Sequence, residues 1–210
     1  MRTKNLIWDF DGTLFDSYPH IIRAFRRAME RKGCSEISLE EITEKVRVST
    51  GFAVRFYSER YGLEADELLR IYHEEEDGKD DADVLPFCGV LKFLQETRAI
   101  GWHHFLYTHR GPNAFVYLDR CKARNLFDGF VTAADGFPSK PAPDAILFLI
   151  GEYDLKKDDT WMIGDRIIDA QAGKNAGISS LLFDPEYRIS DTEGFPLARK
   201  TEEIRKFMER

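Results

Sequence analysis

The first clear pattern along the chain is a short apolar run from Asn5 to Phe10 that is interrupted by Asp9. Asp11, Gly12 and Thr13 come directly afterwards, a combination typical of a tight turn. An apolar run of this length, bounded by turn residues, predicts a buried β-strand. The sequence therefore predicts a strand that ends in a polar loop, with an acidic side chain at its end.

The segment from residue 17 to residue 80 has a helical periodicity instead. Ser38 followed by Glu41 resembles the capping box that begins a helix. Apolar side chains recur at helical spacing in three stretches, which are Ile21–Met29, Phe52–Tyr61 and Ala65–Glu76. The whole segment is therefore predicted to be helical.

Strands and helices alternate after a short acidic linker at Gly78–Asp83. The predicted helices are Val90–Ala99, Asn113–Arg124, Ala142–Tyr153, Ile167–Ala176 and Thr201–Met208. The predicted strands are Trp102–Tyr107, Phe130–Thr132, Thr160–Ile163 and Ser179–Phe183. This alternation predicts an α/β fold with a doubly wound, Rossmann-like parallel sheet. The predicted domains are an α/β core, residues 1–16 and 84–210, and a small helical domain inserted at 17–83.

Composition and charge exclude several classes of protein. The net charge is −7, from 37 acidic and 30 basic residues, and no long basic run occurs, so a nucleic-acid partner is not expected. The three cysteines form no CxxC pair, which argues against a disulfide framework or a zinc site. No apolar run approaches the roughly 20 residues of a membrane span, and no signal-peptide pattern precedes Asp9. These features predict a soluble cytoplasmic protein with no membrane partner.

Polar side chains follow four of the predicted strands. Asp9 and Asp11 follow the first strand, and Thr108 follows the strand Trp102–Tyr107. Further along, Lys140 follows the strand near Val131 and its loop, and Asp165 and Asp169 follow the strand that ends at Ile163. Ligands of such sheets bind beyond the carboxyl ends of the strands, so we expect these side chains to converge on one site.

The residue types at this edge suit phosphoryl transfer. A carboxylate can attack phosphorus and give an acyl phosphate, and Asp9 is placed for that role. Asp11 lies two residues on, so an extended backbone would point both side chains to the same side. Asp11 could then protonate the leaving oxygen and later accept a proton from water. Crowded carboxylates repel one another, and a hard cation such as Mg²⁺, which prefers oxygen ligands, would offset that repulsion.

Each of these residues has an ordinary structural interpretation when it is taken alone. Acidic turns are common, a threonine after a strand is usually a turn residue, and a lysine before proline is usually solvated. Gly164 and Asp165 could form a turn with a helix cap. Adjacent His103 and His104 would point to opposite faces of a strand, so a shared metal site is not expected there. The functional interpretation depends on the whole set occurring in this order.

Four segments carry a family resemblance. Asp9–Ser17, with the sequence DFDGTLFDS, is similar to the first motif of the haloacid dehalogenase-like hydrolase superfamily. The other three motifs follow in order, as Phe105–Thr108, Ser139–Pro143 and Met162–Asp169. The helical insertion after the first motif resembles the cap of the phosphoglycolate phosphatase and β-phosphoglucomutase branch. The resemblance covers essentially the whole chain.

The resemblance implies a role for each residue. Asp9 would be the nucleophile and Asp11 the general acid/base, with Thr108 and Lys140 completing the catalytic set. Substrate binding would involve Gly12, Thr108 and Lys140. His109 is expected to line the same pocket because it directly follows Thr108 in the sequence. A Mg²⁺ ion would be held by Asp9, Asp165 and the backbone carbonyl of Asp11, with Asp169 acting through water or orienting the other ligands. The segment 17–83 would be the cap and the rest of the chain the catalytic core.

Three functions are compatible with these motifs. Dehalogenases and phosphonatases of the superfamily lack the second aspartate, so Asp11 favours phosphoryl transfer. The preferred interpretation is a Mg²⁺-dependent phosphatase that hydrolyses a small phosphorylated metabolite through an aspartyl-phosphate on Asp9. A sugar-phosphate mutase of the β-phosphoglucomutase type is an alternative, as is a catalytically silent phosphoester-binding protein. The identity of the substrate and the presence of a homodimer stay open at this point.

Overall fold

The computed structural model describes residues 3–77 and 81–209. Its contacts divide the chain into two compact units, Met1–Asp16 with Pro86–Arg210, and Ser17–Leu85. We call the first the α/β unit and the second the helical unit. The predicted linker Gly78–Asp83 lies partly outside the described residues, because 78–80 are not among them. The roles of catalytic core and cap stay predictions.

A six-stranded parallel sheet forms the centre of the α/β unit, with strand order β5-β4-β1-β6-β7-β8. The strands are β1 (Asn5–Trp8), β4 (His103–Tyr107), β5 (Gly129–Val131), β6 (Thr160–Gly164), β7 (Ser179–Phe183) and β8 (Leu197–Ala198). A separate two-stranded sheet consists of β2 (Phe15–Asp16) and β3 (Leu85–Pro86). The predicted α/β fold with a parallel sheet is confirmed.

Strand β1 is central and entirely buried, as expected for an apolar run covered on both faces of a sheet. Trp8, its last residue, is in register with Leu106 of β4 and Ile163 of β6. Tyr107 at the end of β4 is in register with Val131 at the end of β5. Because the strands are parallel and end together, the residues that follow them emerge at one edge of the sheet.

Five helices cover the sheet in the described part of the α/β unit. They are α5 (Val90–Ala99), α6 (Ala114–Arg120), α7 (Asp144–Glu152), α8 (Ile167–Ala176) and α9 (Thr201–Met208). One prediction is wrong here, because the helix expected to reach Arg124 ends at Arg120. Lys122 has φ 53°, a left-handed conformation that ends helical hydrogen bonding, and a separate 3₁₀ turn follows at Arg124–Leu126. The apolar residues of α7 and α8 pack with those of β1, β4 and β6 to form the core of this unit.

On the face of the sheet opposite α7 and α8, Trp8, His104 and Thr97 form a buried hydrogen-bond network. The indole N–H of Trp8 donates to Nδ1 of His104 at 3.1 Å, which leaves Nε2 as the protonated nitrogen of a neutral ring. Nε2 lies 3.0 Å from the hydroxyl of Thr97, which in turn donates to the Phe93 carbonyl. Burial, followed by the charge of Arg98, lowers the pKa of His104 to about 3. His104 is therefore a neutral structural residue in the core.

The helical unit contains four helices among its described residues. They are α1 (Tyr18–Arg31), α2 (Leu39–Val48), α3 (Thr50–Tyr61) and α4 (Ala65–Asp77). Ser38 caps α2 by accepting from the Glu41 amide at 3.1 Å, but the Glu41 carboxylate pairs with Arg60, so half of the predicted capping box forms. Buried Glu75 is neutralised by Arg27 and Arg31 at 2.9 and 3.1 Å. The apolar faces of the helices form a separate core.

Across the described residues, no helix combines the length and the apolar character needed to cross a bilayer.

Candidate active site

Asp9 lies at the point where β1 leaves the sheet. Its amide still donates to the Ile163 carbonyl of β6 at 2.9 Å, so its backbone is fixed by the neighbouring strand. Its side chain is 2% exposed. One carboxylate oxygen, Oδ2, is buried and has no hydrogen-bond partner among the described residues. The fold therefore holds a carboxylate rigidly at the sheet edge, and one of its oxygens accepts no hydrogen bond from the part of the chain that the structure describes.

Lys140 joins the two buried carboxylates of the site. Its ammonium lies 2.7 Å from Oδ1 of Asp9 and 2.8 Å from Oδ1 of Asp169, and its side chain is completely buried. The same ammonium lies 4.6 Å from the centroid of the Tyr107 ring, a favourable cation–π distance. Asp169 is the third residue of α8, and its Oδ2 accepts from the Arg166 amide at 3.0 Å. Both oxygens of Asp169 are thus engaged by the protein.

The three charges have different protonation behaviour. Burial raises the pKa of Asp9 to about 6, even though Lys140 opposes the shift, and the nearby Asp169 raises it further. Burial also opposes ionisation of Asp169, but Lys140 and Arg166 outweigh it and hold the pKa of Asp169 below its usual value. The two carboxylates overcome the burial of Lys140 and raise the pKa of its ammonium. Two carboxylates thus share one lysine, and Asp9 is the carboxylate whose negative charge is less completely offset.

Three aspartates at this edge of the sheet provide the kind of ligands that a hard divalent cation binds. One oxygen each from Asp9, Asp165 and Asp169 lies within 4.8 Å of the others. All are oxygen donors, which Mg²⁺ prefers. Among the described residues, the buried Oδ2 of Asp9 has no hydrogen-bond donor and only a 3.9 Å ion pair with Arg166, so it fits a metal ligand. In Asp169, Oδ1 forms a closer ion pair with Lys140 at 2.8 Å and Oδ2 accepts from the Arg166 amide. The residues present therefore fit a divalent cation, with Asp169 supporting the group.

Gly164 allows Asp169 to approach the end of β6. A Cβ atom at Gly164 would lie 2.3 Å from Cβ and 2.4 Å from Cγ of Asp169. No side chain can be accommodated at such distances without moving Asp169. The glycine before Asp165 is therefore required by the packing of the site.

The loop after Asp9 is held by its own backbone hydrogen bonds. Gly12 has φ 76°, in the left-handed region that glycine tolerates best. Its amide donates to the Phe15 carbonyl at 2.9 Å, and the amides of Thr13 and Leu14 donate to the Phe10 carbonyl. The Thr13 hydroxyl lies 3.4 Å from Oδ1 of Asp165, which connects this loop to the acidic group. Gly12 thus provides the tight turn, and its predicted contact with substrate stays a prediction.

Asp11 is bound by an arginine from the loop after β4. Arg110 donates through Nε to Oδ1 and Oδ2 of Asp11 at 3.0 and 3.3 Å, and through Nη2 to Oδ1 at 2.8 Å. The arginine side chain is 2% exposed and that of Asp11 is 21% exposed. Thr108, two residues before Arg110, is buried, and its hydroxyl accepts a hydrogen bond from the Arg110 amide at 3.0 Å. The Thr108 hydroxyl hydrogen is thereby left to donate elsewhere.

The ring of His109 contacts the loop that carries Lys140, which we call the lysine loop. Nε2 of His109 accepts from the Lys140 backbone amide at 3.0 Å. His109 is exposed at its surface, but partial burial of the ring, followed by the charges of Lys140 and Arg166, lowers its pKa to about 4. A neutral imidazole is required for Nε2 to accept this bond. His109 therefore fixes the lysine loop, and its predicted substrate contact stays a prediction.

The structure also identifies residues whose roles sequence reasoning missed. No sequence pattern indicates that Arg110 binds Asp11, because the two residues are 99 positions apart. Arg166 lies 3.9 Å from the carboxylates of both Asp9 and Asp169. His103 is exposed and pairs with Asp128 on the opposite face from buried His104, as the strand alternation predicted.

Comparison with known proteins identifies the family. Residues 6–183 match the family model described as haloacid dehalogenase-like hydrolase. This match covers most of the chain, so the protein belongs to that family, and the predicted enzyme class is confirmed. All the site residues described above lie inside the matched segment.

Individual relatives agree with this assignment. The chain is 28% identical to a phosphoglycolate phosphatase from Aliivibrio fischeri, over 90% of this chain and 89% of that one. It superposes on the crystal structure of a predicted phosphatase from Clostridium acetobutylicum with TM-score 0.81 and 20% identity, with 100% of both chains covered. A variant of CbbY from Rhodobacter sphaeroides in complex with xylulose-(1,5)bisphosphate gives TM-score 0.79 and 18% identity, with 96% of both chains covered. The two structural similarities establish the fold alone.

Proposed function

We propose that this protein is a Mg²⁺-dependent phosphatase that hydrolyses a small phosphate monoester through a phosphoryl intermediate on Asp9. The observation that carries the proposal is the state of the Asp9 carboxylate. One oxygen is bound by Lys140 at 2.7 Å, and the other is buried without a hydrogen-bond partner among the described residues. An oxygen of Asp9 also lies within 4.8 Å of oxygens of Asp165 and Asp169. A carboxylate held this way is preorganised to accept an electrophile.

The first half of the reaction transfers the phosphoryl group. A carboxylate oxygen of Asp9 attacks phosphorus, the bond from phosphorus to the leaving oxygen breaks, and the Asp11 carboxyl gives its proton to that oxygen. Lys140 and the Thr108 hydroxyl hydrogen are available to stabilise the transferring group electrostatically. The products of this step are an alcohol and an acyl phosphate on Asp9.

The second half returns the enzyme to its starting state. The Asp11 carboxylate takes a proton from water, the water oxygen attacks phosphorus, and the bond from phosphorus to the Asp9 oxygen breaks. Inorganic phosphate leaves, Asp9 is a carboxylate again and Asp11 carries a proton again. The net change is consumption of one phosphate ester and one water, with release of one alcohol and one phosphate.

Asp9, Asp165 and the Asp11 carbonyl would hold the metal, with Asp169 supporting them. When bound, Mg²⁺ supplies positive charge that offsets the repulsion between these carboxylates and a phosphate dianion. The net charge of −7 makes such local compensation necessary for an anionic substrate. Phosphoglycolate is the first substrate to test, because a relative that is similar over most of the chain is named phosphoglycolate phosphatase.

The proposal is tested by phosphate release from a panel of small phosphate monoesters, with Mg²⁺ and with EDTA. We expect Mg²⁺-dependent turnover that is lost in Asp9→Asn. Asp158→Asn, an exposed aspartate of the same unit, is the matched control and should retain wild-type activity. Isomerisation of a sugar phosphate without phosphate release would favour a mutase instead. Tight phosphoester binding without any turnover would favour a silent binding protein.

A further inference from the structure

The contact between Arg110 and Asp11 is more specific than an ordinary ion pair. Three contacts of 2.8 to 3.3 Å connect two nitrogens of the guanidinium to both oxygens of the carboxylate. A planar fork of this kind fixes the rotation of the carboxylate plane as well as its position. Lysine, a single point charge, could neutralise Asp11 but could not set its orientation in the same way.

Arg110 is itself held rigidly. Its guanidinium carbon lies 5.5 Å from the centroid of the Phe10 ring and 5.4 Å from that of Tyr117. Its amide donates to Thr108 and its carbonyl accepts from Ala133, both at 3.0 Å. The arginine is fully packed, whereas Asp11 is partly exposed. Arg110 is therefore the fixed member of the pair, and it determines where the Asp11 carboxylate lies.

Stability alone does not account for this arrangement. Burying a guanidinium costs desolvation free energy, and replacing a buried ion pair with apolar side chains is often neutral or stabilising. The Phe10 and Tyr117 rings lie beside the guanidinium, so part of its surroundings is apolar. The orientation of Asp11 is a property that an apolar replacement could not provide.

We propose that Arg110 is a positioning residue that acts through Asp11, by fixing the orientation in which this carboxyl group exchanges protons with the leaving oxygen. The inference rests on the proposed function, in which Asp11 is the general acid. Arg110 does not touch the reacting atoms in this account. Its loss should therefore impair proton delivery more than it impairs substrate binding or attack by Asp9.

The test uses a series of phosphate monoesters that differ in leaving group. An alkyl phosphate needs its leaving oxygen protonated, whereas 2,4-dinitrophenyl phosphate releases a stable anion and needs little help. We expect Arg110→Gln to lower kcat/KM for the alkyl phosphate about 100-fold, but that for the dinitrophenyl ester less than about threefold, since general acid catalysis typically contributes about 10²–10⁴-fold. A residue with only a structural role would not alter the dependence on leaving group.

Three further variants complete the experiment. Asp11→Asn should show the same steep dependence on leaving group as Arg110→Gln. Arg110→Lys keeps the positive charge and the aliphatic stem but loses the forked guanidinium, so its kcat/KM should depend on the leaving group to an intermediate degree. This variant tests the inference even if Arg110→Gln folds poorly. Arg124→Lys is the matched control, because Arg124 pairs with exposed Asp119 and should leave the wild-type dependence unchanged.

The outcomes separate this inference from the proposed function. Suppose that Asp11→Asn makes kcat/KM depend steeply on the leaving group, but that both Arg110 variants lose the same fraction of activity on every ester or lose none. Arg110 then does not position Asp11, and the inference is overturned. If the wild-type protein hydrolyses no ester, or Asp11→Asn keeps the wild-type dependence, the proposed function fails and takes the inference with it.

Discussion

Replacing His104 should change how the stability of the protein depends on pH. His104 is completely buried, and its pKa of about 3 lies well below the value of 6.5 for an exposed histidine. Between these values the unfolded chain takes up a proton that the folded protein excludes. The free energy of unfolding contributed by His104 is therefore intact above pH 6.5 and is lost as the pH falls toward 3.

The size of the effect follows from the shift. Each pH unit inside the window changes the free energy of unfolding by about 1.4 kcal/mol per proton, so the His104 contribution should fall by about 3 kcal/mol between pH 7 and pH 4. Other groups titrate in this range as well. The quantity to measure is therefore the difference between wild-type protein and His104→Gln, in which those groups cancel.

Urea unfolding followed by tryptophan fluorescence is a suitable assay, because the three tryptophans Trp8, Trp102 and Trp161 all lie in the α/β unit. At pH 7 we expect His104→Gln to be less stable than wild type, because the contacts with Trp8 and Thr97 are lost. That deficit should shrink by about 3 kcal/mol at pH 4. His103→Gln, on the same strand, loses only the exposed pair with Asp128 and measures how much that loss alone changes the curve. A deficit for His104→Gln that is constant from pH 7 to pH 4 would refute the reasoning.

Three further predictions concern the site. Lys140→Met removes the cation that Asp9 and Asp169 share. It should therefore reduce kcat/KM about 10²–10³-fold and destabilise the fold by about 3–5 kcal/mol in metal-free buffer. A variant with wild-type activity and wild-type thermal stability would contradict this prediction. Gly164→Ala should abolish activity because its Cβ would overlap Asp169, whereas Gly151→Ala, which has open space around it, should remain active. The Mg²⁺ affinity measured by calorimetry should fall by up to about tenfold per pH unit below about pH 6, where a proton competes for Asp9, and a pH-independent affinity would be inconsistent with that competition.

Much of the fold could be predicted from local patterns. Helices such as Val90–Ala99 and Ile167–Ala176 were predicted with correct ends, because their apolar spacing is regular and their neighbours are turn residues. The helix predicted to reach Arg124 was too long, since its apolar pattern continues past Lys122 while the backbone there turns left-handed. The two-residue strand Leu197–Ala198 was missed because two residues carry no periodicity.

The part of the candidate site that could be predicted is the set of residues that the sheet topology brings to one edge. Parallel strands that end together bring Asp9, Thr108 and Asp165 to one edge, and an alternating sequence is enough to infer that. The sharing of Lys140 between Asp9 and Asp169 depends on side-chain directions over 131 and 29 positions of sequence, which no local pattern encodes. The Arg110 contact with Asp11 is of the same kind. Roles assigned by resemblance therefore gain a physical basis only from the packing around them.

The proposed function depends above all on the covalent phosphorylation of Asp9. The most direct measurement mixes the protein with substrate and Mg²⁺, quenches in acid within milliseconds, and analyses the peptides by mass spectrometry. We expect one added phosphoryl group on the peptide that contains Asp9, formed at a rate no slower than turnover and absent from Asp9→Asn. Rapid turnover with no phosphorylated peptide at any time, or with the phosphoryl group on another residue, would contradict the account.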